Sequence, residues 1–105
     1  MNAIREIIER QKLIDKRYKI LQLAGEGYFS YVFRGLDTVN NISVALKFLK
    51  EANNAYSIFR FEKEAEALSA LSHRHIIKLV QGKTPFTIDY LGHVLTISHF
   101  YAMEW

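Results

Sequence analysis

The stretch that decides the fold reads, from residue 18 to residue 47, YKILQLAGEGYFSYVFRGLDTVNNISVALK. Its β-branched and aromatic runs favour strands, and residues 37–41 between two of these runs are of turn-forming types. The predicted strands are residues 18–23, 31–36 and 42–49. The stretch therefore predicts two successive hairpins of an antiparallel sheet.

The loop between the first two strands carries two glycines, Gly25 and Gly27. Glycine lets the backbone turn tightly and lets successive amides approach phosphate oxygens with no Cβ in the way. A dinucleotide-binding fingerprint does not fit, because it needs a third glycine where Ser30 stands and a helix immediately after it. A P-loop does not fit either, because no Gly-Lys-Ser/Thr follows the loop. What remains is a glycine-rich hairpin over a ligand. Strand alternation places Lys47 and the small Ala45 on one face, which we interpret as the ligand side.

The order of three motifs resembles the nucleotide-binding half of a protein kinase. The loop Gly25-x-Gly27-x-Phe29-Ser30-x-Val32 is similar to that family's glycine-rich loop, and Val44-Ala45-Leu46-Lys47 is similar to its V-A-I-K strand. The run Phe61-Glu62-Lys63-Glu64 and its continuation to Leu79 are similar to its C-helix and the strand that follows. The resemblance covers about residues 18–105, which in that family is the small lobe.

The resemblance and the order of the predicted elements imply an α+β fold: a five-stranded antiparallel sheet with one packed C-helix. The spacing of Ile4, Ile7 and Ile8 predicts a short N-terminal helix before it. Asn2 is a candidate cap for the short helix, which is predicted to end near Lys12. Residues 51–57 are predicted to form a loop, with Asn54 or Ser57 as the cap of the main helix.

The same resemblance implies the domain limits. A basic helical extension is expected at 1–16 and a small-lobe region at 17–105, which ends at the interlobe hinge. Residues 79–105 are expected to hold the last two strands, with room for an extra hairpin. Residues 1–19 contain six basic and three acidic side chains, whereas the rest of the chain contains eight of each. Because the two signs are interspersed, we interpret the basic arm as a solvated helix face and expect neither nucleic acid nor membrane as a partner.

Two side chains, Lys47 and Glu64, are assigned a catalytic role by the resemblance, as the ion pair of that family. Helical geometry favours the same glutamate: at about 100° per residue, Glu64 lies roughly 60° from Phe61, whereas Glu62 and Glu66 lie roughly 100° or more away. The buried stripe of this predicted helix is Ile58, Phe61, Ala65 and Leu68. The alternative interpretation is a surface glutamate and a strand-end lysine that both face solvent.

For ATP the resemblance implies a larger set of contacts. Its members are Ala24, Gly25, Glu26, Gly27, Tyr28, Phe29, Ser30, Val32, Ala45, Lys47, Met103 and Glu104. Met103 would be the gatekeeper, and Glu104 would offer its backbone carbonyl to the adenine amino group. Ala24 and Ser30 depart from the usual residues, so the cover over adenine is weaker and the loop is stiffer.

Other classes of site and location are not expected. The chain has no cysteine, and its four histidines lack carboxylates at ligand spacing, so we predict structural histidines and no metal site. The histidines are His73, His75, His93 and His99. No apolar run approaches the roughly 18 residues of a membrane span. The charged N-terminus is unlike a signal peptide, so a cytoplasmic protein is the default expectation.

Neither H-R-D nor D-F-G, the kinase motifs that orient the substrate hydroxyl and hold Mg²⁺, occurs in the sequence. The first hypothesis is therefore an ATP-binding small lobe of a Ser/Thr kinase-like protein, a fragment or a truncated reading frame, which binds nucleotide but does not transfer phosphate. Mg²⁺ would join only if a large lobe were supplied. The second hypothesis is a non-catalytic interaction module whose apolar underside a large lobe or another protein covers. The third hypothesis is an unrelated small α+β domain, and it would hold only if the glycine-rich loop did not lie over a cleft.

Overall fold

The structure, a computed structural model, describes residues 3–50, 54–70 and 76–105. Those residues form a five-stranded antiparallel sheet, one main helix and a short N-terminal helix, which confirms the predicted fold class. The elements are α1 Ala3–Glu9, β1 Tyr18–Glu26, β2 Ser30–Asp37, β3 Ile42–Leu49, α2 Ala55–Ser69, β4 Ile76–Tyr90 and β5 His93–Glu104. The strand order is β1-β2-β3-β5-β4, so β5 lies inside the sheet. The predicted loop residues 51–53 and the histidines His73 and His75 lie outside the described residues.

The glycine-rich loop is a tight turn between β1 and β2. The backbone N–H of Gly27 donates to the Ser30 carbonyl at 3.0 Å. Strand pairing therefore continues up to the turn, and β1 and β2 are both longer than predicted, reaching Glu26 and beginning at Ser30. β3 has the predicted bounds. A strand, not a helix, follows the loop, as the kinase-like order requires.

One face of the sheet, here called the core face, is covered by large apolar side chains. Its fully buried members are Tyr18, Tyr31, Phe33, Val44, Leu46, Phe48, Phe100 and Ala102. The Phe48 ring centroid lies 4.8 Å from that of Phe100 and 5.8 Å from that of Phe33. Burying one large apolar side chain stabilises a fold by about 1.5–3 kcal/mol, so this face is the main source of stability.

The N-terminal segment packs on the core face through two isoleucines. Ile8 and Ile14 have no exposed surface and belong to the same apolar cluster. α1 ends at Glu9 rather than near Lys12. The reason is that the chain must leave the helix and reverse before Ile14 can pair with Tyr18, with which it exchanges backbone hydrogen bonds of 2.7 and 2.9 Å.

A buried ion pair fixes the turn between β2 and β3. Arg17 donates two hydrogen bonds to the two oxygens of Asp37, at 2.8 and 2.7 Å, and the carboxylate has no exposed surface. Asp37 also accepts from the backbone N–H groups of Val39 and Asn40 at 3.0 and 3.3 Å. The hydrogen bonds from Arg17 and these amides lower the pKa of Asp37 to about 2.

The main helix, α2, lies against the opposite face of the sheet, here called the helix face. Asn54 caps α2, because its side chain accepts from the Ser57 N–H at 3.1 Å; of the two candidate caps, Asn54 is the one used. The helix starts at Ala55, inside the predicted loop. The helix face holds a small buried cluster of Leu49, Phe61, Ala65 and Tyr101. Within the described part of the chain, neither helix is both long and apolar enough to span a membrane.

The last two strands form one long hairpin. β4 and β5 are joined by Leu91 and Gly92, whose positive φ angles of 50° and 81° suit a tight hairpin turn. The extra length of the segment is taken up by long strands with a register shift between Gln81 and Phe86, and no additional hairpin forms within residues 76–105. β5 also pairs with β3, which brings Tyr101 beside Lys47 and Glu104 beside Val44.

Candidate nucleotide-binding site

A cavity of about 170 Å³ lies between the glycine-rich loop, β3 and α2. Its lining residues are Gly27, Tyr28, Phe29, Ser30, Lys47, Leu49, Arg60, Phe61 and Glu64. Five of the predicted ATP contacts are among them, together with the predicted catalytic glutamate. The loop therefore does lie over a cleft, with cationic side chains on the opposite wall.

Lys47 reaches the cavity from the helix face of the sheet. In the strand register it lies between Val32 of β2 and Tyr101 of β5, and residues opposite one another in antiparallel strands project to the same face. The Lys47 side chain is 16% exposed and its ammonium forms an ion pair with Oε1 of Glu64. The structure thus brings together the two side chains that the motifs assign to catalysis.

Glu64 accepts a second hydrogen bond at the same oxygen. The hydroxyl of Tyr101 donates to Oε1 at 2.6 Å, and the Tyr101 side chain is almost fully buried. Burial acts to raise the pKa of Glu64, but the hydrogen bonds from Lys47 and Tyr101 outweigh it, so the pKa lies below its usual range. Glu64 is therefore held as a carboxylate at neutral pH, and Lys47 keeps a permanent counter-charge.

The two loop glycines are not required by the protein's own packing. A Cβ added to Gly25 or Gly27 would meet no atom within 4 Å, and neither residue has a positive φ. By contrast, a Cβ added to Gly35 would lie 2.6 Å from the Lys19 carbonyl oxygen and 2.7 Å from a Leu46 methyl carbon. Gly35 is therefore a packing glycine, whereas the space beside Gly25 and Gly27 is open to a ligand.

The tip of the loop is tied to α2 by aromatic contacts. The Phe29 ring lies 5.5 Å from the Tyr56 ring in an edge-to-face arrangement, and the Arg60 guanidinium lies 5.9 Å from both ring centroids. The neighbouring Tyr28 is 90% exposed. On the other flank of the loop, Lys50 forms an ion pair with Glu26 at 2.8 Å. At the loop tip, Phe29 is therefore held against α2, whereas the Tyr28 side chain is largely exposed at the edge of the cavity.

Comparison with known proteins identifies the fold. The family model for protein tyrosine and serine/threonine kinases matches residues 18–88. The chain belongs to this protein kinase family. It is 35% identical over 82 residues to a probable serine/threonine-protein kinase of Clostridium perfringens, an alignment that covers 76% of this chain and 12% of that relative.

Two other kinases show the same relationship. The serine/threonine-protein kinase PrkC of Bacillus subtilis is 36% identical over 70 residues, which cover 65% of this chain and 11% of that protein. The serine/threonine-protein kinase WNK of Caenorhabditis elegans is 39% identical over 75 residues, which cover 66% and 4%. The chain thus spans 12% or less of the length of these kinases.

The remaining predicted ATP contacts of this kinase small lobe lie outside the cavity and are divided between the two faces of the sheet. Ala45 lies opposite Met103 in the β3–β5 register, two residues from Lys47. Val32 lies opposite Lys47, and Gly25 pairs with Val32 from β1. The others outside the cavity lining are Ala24, Glu26 and Glu104. The register therefore places Val32, Ala45 and Met103 on the same face as Lys47, whereas Glu104, which lies opposite Val44, has a core-face position.

Several residues of the kinase cavity were missed by sequence reasoning. Leu49 and Arg60 line it, and Phe61 had been predicted only as a member of the buried helix stripe. The phase of α2 could have indicated Arg60, which stands one turn before Glu64. Tyr101 carries no local signal, because only the β3–β5 pairing brings it to Glu64.

Proposed function

We propose that this chain is an ATP-binding kinase small lobe. The observation that carries the proposal is the position of Lys47: its ammonium lies in a cavity roofed by the glycine-rich loop and is held there by Glu64. A lysine fixed in this way presents a charge to phosphate oxygens without having to be ordered when the ligand binds.

The residues present fit the chemistry of a nucleoside triphosphate. The Lys47 ammonium, which lines the cavity, is a donor for the phosphates, and the open space beside Gly25 and Gly27 lets phosphate oxygens approach the loop backbone. The apolar Val32, Ala45 and Ala24 would cover the adenine. Met103 would be the gatekeeper beside it, and the carbonyl of Glu104 would accept from the adenine amino group.

Phosphoryl transfer needs groups that this sequence does not carry. The aspartates of H-R-D and D-F-G orient the substrate hydroxyl and hold Mg²⁺ in the family, and neither motif occurs in the 105 residues. We therefore expect the chain to bind ATP weakly and to transfer no phosphate by itself. A large lobe would supply the metal ligands and is the partner that fits this site.

A second candidate function is a non-catalytic interaction module. Exposed aromatic side chains favour it: Tyr56 and Phe59 on α2 are 56% and 54% exposed, and Trp105 is 56% exposed. Aromatic residues are enriched in protein interfaces. This function requires no nucleotide, so binding measurements with and without ATP separate the two candidates.

The test is a calorimetric or fluorescence titration of the chain with ATP. Lys47→Met should weaken affinity about tenfold or more, because a charge-assisted hydrogen bond contributes about 1.5–3 kcal/mol. The matched control is Lys63→Met, which removes a lysine that is 61% exposed on α2 and should leave affinity within about twofold. Equal affinity of the wild type and Lys47→Met, or a folded wild type that binds no ATP at millimolar concentration, would refute the proposal.

A further inference from the structure

We propose that Tyr101 is a positioning residue, whose hydroxyl holds the Glu64 carboxylate and, through it, the Lys47 ammonium in place before nucleotide binds. The proposal deepens the function proposed above and rests on it for its consequence on ATP affinity. Its structural core, a tyrosine that sets the state of the glutamate, can be tested without nucleotide.

The contacts converge on one oxygen. Oε1 of Glu64 accepts from the Tyr101 hydroxyl at 2.6 Å and from the Lys47 ammonium. Two donors at one oxygen fix the carboxylate from both sides, so it cannot turn toward solvent without losing both hydrogen bonds. Lys47 also lies 6.0 Å from the centroid of the Tyr101 ring, close enough for a weak cation–π attraction.

The tyrosine is more firmly held than the glutamate that it contacts. Tyr101 is 3% exposed, lies in an interior strand of the sheet, and packs its ring 5.5 Å from that of Phe61. The Glu64 side chain is 44% exposed and stands on a helix whose buried cluster is small. The hydroxyl therefore ties a half-exposed side chain to a buried one, which helps to pre-organise the site.

The electrostatics agree with this role. Burial and the hydrogen bond to Glu64 both raise the pKa of Tyr101, so the phenol stays a proton donor at any physiological pH. A buried hydroxyl needs a partner, and Glu64 is the acceptor that Tyr101 uses. The hydrogen bond in turn favours the ionised form of Glu64, which is the form that pairs with Lys47.

The first experiment compares Tyr101→Phe with Tyr18→Phe in the nucleotide-free chain. Tyr18 is an apt control because it is fully buried and its hydroxyl has no hydrogen-bond partner among the described residues. The carboxyl carbon of Glu64 is followed by ¹³C NMR as pH is varied. Loss of a donor to the charged form should raise the Glu64 pKa in Tyr101→Phe and leave it unchanged in Tyr18→Phe. An unchanged Glu64 pKa in folded Tyr101→Phe would overturn the proposal.

A second measurement uses the unmodified chain and does not depend on whether the phenylalanine variant folds. The Tyr101 hydroxyl proton should give a slowly exchanging NMR resonance at low temperature, which disappears in Glu64→Ala. Absence of that resonance in the wild type would also overturn the proposal. Its presence supports the hydrogen bond in solution.

The third arm connects the hydrogen bond to nucleotide. Tyr101→Phe should weaken ATP binding about fivefold, the effect expected from one hydrogen bond, whereas Tyr18→Phe should not weaken it. If the wild type binds no ATP, the proposed function fails while the NMR result still decides the role of Tyr101. If the wild type binds ATP and Tyr101→Phe binds equally well, the positioning role is refuted and the proposed function stands.

Discussion

The two faces of the sheet are built in different ways. The core face buries a continuous set of aromatic and aliphatic side chains, and its carboxylate, Asp37, is fully buried and accepts hydrogen bonds from a bidentate arginine and backbone amides. Among the residues whose burial is described, the helix face has a buried cluster of four, and Glu64, a carboxylate on this side, is 44% exposed and accepts from its two donors at one oxygen.

The two carboxylates differ in how tightly they are held. Asp37 has hydrogen-bond donors on both oxygens and no exposed surface, so breaking its ion pair would leave a buried charge without a partner. Asp37 therefore stabilises the fold. Glu64 is 44% exposed and accepts both of its hydrogen bonds at one oxygen, so changing its partners costs less than for Asp37. We therefore expect mutations on the core face to lower the free energy of unfolding more than mutations on the helix face, and mutations of Lys47 or Glu64 to alter ligand binding.

The largest expected effect is Phe48→Ala on the core face. Phe48 is fully buried among aromatic rings, so truncation should lower the free energy of unfolding by roughly 3–5 kcal/mol. Phe61→Ala is the matched truncation on the helix face, and we expect a smaller loss, about 3 kcal/mol or less, since its cluster is small and can collapse. Urea denaturation measures both. Equal losses would show that the two faces are equally important to stability.

A smaller effect is expected for Asp37→Asn, about 3 kcal/mol at neutral pH, because Arg17 is left without a counter-charge in a largely buried site. The folded pKa of Asp37 is lowered to about 2, below its unfolded value. Its contribution is therefore complete above about pH 4 and is lost as pH falls through about 2. The difference in denaturation midpoint between wild type and variant should accordingly shrink between those pH values. A difference that does not change with pH would contradict this assignment.

The smallest expected effects on stability come from glycine substitutions, which distinguish a packing glycine, Gly35, from a loop glycine, Gly25. Gly35→Ala should cost roughly 1–3 kcal/mol, because its Cβ would collide with a backbone carbonyl that cannot move aside. Gly25→Ala should change stability by less than about 1 kcal/mol, since nothing lies near its Cβ, and should instead weaken ATP binding. Thermal unfolding and ATP titration of both variants check this. Similar destabilisation of the two would mean that the loop glycines serve packing.

The motifs and periodicities predicted the architecture well because they depend on local chemistry. The Gly25-x-Gly27 loop and the Val44–Lys47 segment predicted the first three strands of the sheet. The helical phase of α2 indicated Glu64, which forms the ion pair with Lys47. Element ends were less accurate. α1 stops at Glu9 because a tertiary requirement, the burial of Ile14, overrides local helix propensity.

The parts of the site that sequence could not supply depend on long-range pairing. Tyr101 meets Glu64 because β5 inserts beside β3, and no pattern near either residue encodes that contact. The position of Ala45 opposite Met103 also follows from the register of these two strands. The ATP-binding roles of these residues stay predictions.

The pairing of β3 with β5 has a consequence for folding. β1, β2 and β3 form a meander of local hairpins, and β4 with β5 forms a second local hairpin, so each half can be nucleated by nearby contacts. The β3–β5 seam is the non-local step and closes a long loop that contains α2, which makes it the entropically slow contact. Lys47 comes from one half, Tyr101 from the other, and Glu64 from the loop between them. The cluster of Lys47, Glu64 and Tyr101 therefore forms in the same event as the finished topology, whereas the glycine-rich loop and Lys47 belong to the first half alone.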